Sequence, residues 1–227
     1  MPAVTGPARA GAWNRGAFYG KMRCAVTNRS SKEAYHHGDL RRALLDATLR
    51  LVEQRGPQGF TLRAAARAAG VSPGAPYHHF EDKDALLAAV AEEGFELFGA
   101  VLREAALEAA PSPRLRAQNV GVAYVRFAIE HPTRFRIMVG YGVQAHVGPG
   151  QIASAALGAY QLVRKVLVSG LQGKRAETIT EAEVLGWWSI VHGLAFLAID
   201  GHLGKVGKSV RRSEPLVRQV LAAMDKR

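Results

Sequence analysis

The side chains that could bind a metal, attack a substrate or move a proton are few in this 227-residue chain. Two histidine pairs, His36-His37 and His78-His79, lack the cysteines or carboxylates that would complete a tetrahedral metal site, and adjacent residues on a helix point in different directions. Cys24 is the only cysteine, so neither an intrachain disulfide nor a cysteine-rich metal cage can form. The stretch "GHLGKVGKS" imitates a phosphate-binding loop, but five residues separate Gly201 from Gly207, one too many, and no strand precedes it. Glu92-Glu93 and the pair Glu181 and Glu183 read as solvated helix faces, and no nucleophile, base and orienting group fall together. The expectation is a protein that is not an enzyme and that holds neither metal nor cofactor.

A different chemistry is offered by "VSPGAPYHHFEDKDALLAAV", Val71 to Val90. Thr61 is suited to cap a short helix, "LRAAARAA", whose small residues Ala65, Ala66 and Ala69 let a neighbour approach. Gly70 can take the left-handed turn that ends it, Ser72 can cap the next helix, and Pro73 fits a first helical position because its missing N–H costs nothing there. The reading is a helix-turn-helix whose recognition helix spans about Pro73 to His79. Gly74 and Ala75 would let the backbone approach the major-groove floor, and Tyr77, His78 and His79 would reach phosphates or base edges. Lys83 adds a cation and helix N–H groups for a phosphate. No Arg, Asn or Gln lies between Val71 and Phe80, so base readout should be thin and lean on DNA shape and on reach from Arg63. Thirty basic against nineteen acidic residues, a formal charge of +11, agree with an anionic partner.

The elements that must position this segment follow from apolar spacing. Leu40, Ala43, Leu44, Ala47 and Leu51 mark a first helix that stops at Gly56-Pro57. A long helix is predicted from Lys83 to Ala110, roughly 40 Å at the usual rise per residue, ended by Pro111 and Pro113. Gly94 sits mid-rod, where it costs about 1 kcal/mol relative to Ala, and is expected to serve close packing or a pivot. Further helices are predicted over 115–130, 133–139, 151–171, 180–202 and 214–224, with Gly-rich loops at 141–150 and 201–213. No segment alternates like a strand, so the class is all-α. Residues 1–34 read as a basic arm without a fold of its own, 35–95 as the DNA-binding head, and 96–227 as a helical body. Neither an apolar run of about 18 residues nor a secretion leader is found, so a cytoplasmic protein without membrane contact is expected.

With "YHHGDLR" at Tyr35 to Arg41 and "TLRAAARAAGVSPGAPYHHFEDKDALLAAV" in hand, the chain resembles the TetR family of bacterial transcription regulators. Thr61, Leu62, Gly70, Val71, Tyr77, Phe80, Lys83 and Leu86 stand at signature positions; Ala65 departs, where a bulkier aliphatic residue is common. "HPTRFRIMV" and "GWWSIVHGLAFL" resemble a subfamily named for a Trp-His-Gly signature, here Trp188, His192 and Gly193, the last expected to permit close helix packing. The resemblance implies a homodimer built on the last two helices, a double-stranded DNA operator with palindromic symmetry, and a small apolar or amphipathic effector that releases a repressor from DNA. A DNA-binding regulator without such an effector is the alternative. The DNA-binding candidates are Thr61, Arg63, Ser72, Pro73, Gly74, Ala75, Tyr77, His78, His79 and Lys83. For the effector pocket they are Phe98, Tyr124, Phe127, Phe135, Met138, Tyr160, Trp188 and His192, mostly apolar with few polar handles.

Overall fold

Four of the helices begin at a side chain that accepts a hydrogen bond from the first turn. The structure, a computed structural model, describes residues 37–108, 110, 112–140, 151–169, 180–207 and 209–224. Thr61 accepts from the Ala64 N–H at the start of α2 (Leu62–Ala68), Asp82 from Ala85 at the start of α3 (Lys83–Leu107), and Ser112 from Leu115 at the start of α4 (Pro113–Glu130). Thr180 and Glu183 form a reciprocal capping box at the head of α7 (Glu181–Ile199). Each such cap satisfies an N–H that the helix itself cannot, contributing about 1 kcal/mol.

Preceding α2 is α1 (His37–Arg55); between α2 and α3 lies a single 3-10 turn, Ala75–His78; the remaining elements are α5 (Pro132–Gly140), α6 (Gln151–Ser169), α8 (Gly204–Gly207) and α9 (Val210–Met224). No strand occurs among the described residues, and the fold is all-α, a helix-turn-helix head on a helical body. In the head, α1 packs on α2 and on the N-terminal part of α3, and α2 on the 3-10 turn, with Leu44, Leu45, Leu62, Phe80, Leu86 and Val90 buried together. The rest of α3 packs against α4, α5 and α6, and α4 in turn carries α7 and α9. Gly121 of α4 makes that last contact close: a Cβ there would stand 2.4 Å from Leu221 Cδ1 and 3.2 Å from Trp187 Cζ2.

Several boundaries differ from the sequence reading. The segment 73–79 is not an α-helix of two turns. Pro76 has no N–H to return to Ser72, so the chain tightens into i→i+3 bonds: Ala75 to the Ser72 carbonyl at 3.0 Å and Tyr77 to the Gly74 carbonyl at 3.2 Å. The Ser72 partner in that turn is thus its carbonyl oxygen. The rod α3 ends at Leu107, three residues early, because Glu108 turns to φ −59°, ψ 134° ahead of the prolines. The expected loop 201–213 contains α8 and the first turn of α9, which begins at Val210 and tolerates Pro215 inside it. The arm at 1–34 and the loop at 141–150 lie outside the described residues.

The expectation about apolar runs also needs correction. Helix α7 is long and apolar enough to cross a membrane by length and composition, with 28% of that stretch buried. Its scattered polar residues, Ser189 and His192, do not offset the aliphatic and aromatic ones around them. One face sends Val184, Val191, Ala195 and Ala198 into the core; the other leaves Leu185 and Leu197 nearly half exposed. Gly193 lies on that open face with nothing among the described residues within 4 Å of its would-be Cβ, as does Gly186, so no described neighbour supplies the close packing expected of Gly193.

Candidate nucleic-acid interface and the cavity behind it

The bend that presents the 3-10 turn is a Schellman closure of α2. Gly70 takes φ +74°, its N–H reaches the Arg67 carbonyl at 3.1 Å, and the Val71 N–H reaches the Ala66 carbonyl at 3.0 Å. An L-residue with a side chain would be strained at that φ, which is why glycine stands there. Pro76 and Phe80 are buried and pin the turn to the head, while Arg41 lies 6.0 Å above the Phe80 ring.

The outward-facing surface is the set read from the sequence, with three exceptions. Arg63, Ser72, Pro73, Gly74, Tyr77 and His78 are exposed, as is Thr61, whose hydroxyl is engaged as a cap. Ala75 and His79 are half-buried, with His79 in ring contact with Phe80. Lys83 is also half-buried: its ammonium donates to Gln58 Oε1 at 2.7 Å, and the N–H group of Ala85 is already held by Asp82. Arg67, four residues beyond Arg63 and equally exposed, is a cation the sequence reading passes over, although its i, i+4 spacing places it on the same face.

Behind the head, α3, α4, α5, α6 and α7 enclose a cavity of about 170 Å³. Phe98, Tyr124, Phe135, Met138, Tyr160, Trp188 and His192 line it; Phe127 does not, being buried behind Phe98 and against His131 at ring separations of 5.1 and 4.9 Å. Phe95, Val139 and Val163 complete the wall. Each lies within one turn of a residue named from the sequence, Phe95 three before Phe98 and Val163 three after Tyr160, which was the available signal.

Three polar side chains of this wall form one relay. The Trp188 indole N–H donates to the Tyr124 hydroxyl at 3.1 Å, and that hydroxyl lies 2.8 Å from His192 Nδ1. Tyr124 accepts from Trp188 and shares a second hydrogen bond with His192 Nδ1, whose direction follows the imidazole tautomer. Burial pushes the Tyr124 phenol far above its ordinary range, the Trp188 hydrogen bond opposing only in part, and burial holds His192 below 6.5. The relay is therefore neutral near pH 7. Tyr160, on the rim, donates to Glu181.

Comparison with known proteins decides what this architecture is. Residues 44–90 match the family model described as bacterial regulatory proteins, tetR family, and residues 117–224 match the tetracyclin repressor-like C-terminal domain. The chain belongs to the TetR family. This TetR-family chain is 44% identical over 82 residues to the HTH-type transcriptional regulator BetI of Burkholderia thailandensis, a match covering 35% of the chain and 42% of BetI's length. A solved Rhodococcus sp. RHA1 protein of unknown function shares 33% identity, covers 84% of this chain and all of its own, and superposes with a TM-score of 0.64. The TetR-family regulator PfmR of Thermus thermophilus, at 18% identity and TM-score 0.60 over 79% of this chain and 94% of its own, shares the fold. The chain carries the DNA-binding head of TetR-family transcriptional regulators, and its family-model matches and the BetI relative are regulatory proteins.

Proposed function

We propose that this regulator is a homodimeric, ligand-responsive repressor that holds a palindromic operator and releases it when a small apolar or amphipathic molecule enters the aromatic cavity. The observation that carries this reading is that one helix serves both ends. The first turn of α3 adjoins the DNA-facing 3-10 turn, and Phe95 and Phe98 of the same helix line the cavity. A molecule that displaces this wall tilts a rod about 37 Å long, and a small tilt moves the head away from its groove.

In this reading Arg63, Ser72, Pro73, Gly74, Ala75, Tyr77, His78 and His79 meet DNA directly, Lys83 supports the phosphate side, and Thr61 fixes the helix that carries Arg63. The partner of the open apolar face of α7 is a second copy, with α9 beside it, and the site of action is the cytoplasm. A two-fold pair on one face of B-DNA needs its recognition elements roughly 34 to 36 Å apart. Footprinting of the purified protein on DNA flanking its own gene, repeated with a panel of small aromatic compounds, tests the proposal. A symmetric protected site that is lost with at least one compound is expected; protection unaffected by compounds that raise the melting temperature would contradict ligand control.

A further inference from the structure

Beyond the aromatic cavity, the same α3, α4 and α6 form a second depression, a groove of about 330 Å³ that shares no lining residue with the cavity. Ala106 and Leu107 of α3 and Leu162 and Val166 of α6 make its apolar surface. Its polar members are all cations: Arg103 of α3, Arg116 of α4 and Lys165 of α6. Helices α7 and α9 contribute nothing to it, so pairing of two chains through those helices leaves it open.

Two features of the groove call for an occupant. Arg116 Nε is buried and has no hydrogen-bond partner among the described residues; a buried N–H of a charged group that has lost water and gained no acceptor is rare. Leu107 is 86% exposed, a large apolar side chain left in water at the edge. Glu108, at the end of the rod, accepts from Asn119 at 3.3 Å and faces the charge of Arg218. None of Arg103, Arg116 and Lys165 forms an ion pair with another described residue.

We propose that this groove is a second ligand site, for a carboxylate on a medium-length alkyl chain. The carboxylate accepts from Arg116, including the unpartnered Nε–H, with Arg103 and Lys165 adding positive potential. The alkyl chain covers Leu107 and lies over Leu162 and Val166.

Calorimetric titration of the full-length protein with decanoate below its micelle concentration, with decanol and acetate as comparisons, tests this site. Decanoate is expected to bind at least tenfold more tightly than either. Arg116→Gln should weaken decanoate by tenfold or more and Lys165→Gln, at an exposed position with no folding role, by several-fold, while His192→Phe in the other cavity leaves it unchanged. Equal affinity for decanoate and decanol, loss of binding in His192→Phe, or wild-type affinity in both cation variants would overturn the proposal.

Discussion

Met138 packs so tightly on Gly94 that a Cβ on the glycine would sit 2.7 Å from the methionine Sδ and 2.8 Å from its Cγ. Met138 is also a wall of the aromatic cavity, so that wall leans directly on the middle of α3. The ion pairs around the contact tie it to the head: Glu93 lies 3.9 Å from Arg42 of α1 and 3.7 Å from Arg134 of α5. Gly94→Ala should force Met138 into the cavity and destabilise the fold by about 1–3 kcal/mol, a drop of roughly 2–4 °C in melting temperature per kcal/mol. Met138→Ala, a buried large-to-small change, should cost less in the Gly94→Ala background than alone, because the two residues are in contact. A thermal melt of the single and double variants checks both statements; unchanged stability in Gly94→Ala would remove the contact from the mechanism.

Tyr124 holds the relay together. Tyr124→Phe leaves the Trp188 N–H and His192 Nδ1 without their shared partner, so urea denaturation should report a loss of about 1–3 kcal/mol.

The same site sets a pH dependence. Burial depresses both His192 and His131 below 6.5, in the latter case with Glu130 opposing and Arg134 assisting. The unfolded chain therefore binds more protons than the folded one between 6.5 and the lower folded values. Stability is full above pH 6.5 and declines as pH falls through that window. His192→Asn should flatten the decline; an identical slope in the variant would show that this histidine does not carry it.

On the open face of α7, Gly186 and Gly193 have space around them among the described residues. Gly193→Arg should leave the monomer folded but block self-association, so light scattering should give the mass of one chain, with operator affinity lost alongside. A variant that remains dimeric would place the pairing surface elsewhere.

Much of this architecture is legible in residue types with short-range consequences. Gly70, Thr61 and the apolar spacing of α1, α3 and α4 act within a turn or two, and the helices stand where those signals place them. The 3-10 geometry of the turn is less legible because it depends on what Pro76 removes from a bonding pattern, while the surroundings of Gly193 escape sequence reasoning because close packing is a property of two surfaces. For the cavity, side-chain type identifies seven of the lining residues. Phe127 fails because spacing along α4 does not tell which neighbour a side chain reaches. The groove at Arg116 is invisible in the sequence, since its residues come from three helices and carry no motif.

Contacts to phosphate should make DNA binding strongly salt-dependent. If each half-site neutralises about three or four phosphates, log affinity against log salt should fall with a slope of roughly −5 to −7. Lys83→Ala and Tyr77→Phe should weaken binding to all operator variants alike. A loss confined to one operator sequence would assign these residues to base readout.

The relation between the two heads is open to direct measurement. In a Cys24→Ser background, Glu81→Cys places a single spin label on the exposed residue just after the 3-10 turn. Pulsed electron resonance on the operator complex should give one narrow distance near the roughly 34–36 Å separation of adjacent major grooves, shifting by several ångströms when a releasing compound is added. Absence of any dipolar coupling between labels, or the same distance with and without that compound, would contradict a paired, ligand-tilted head.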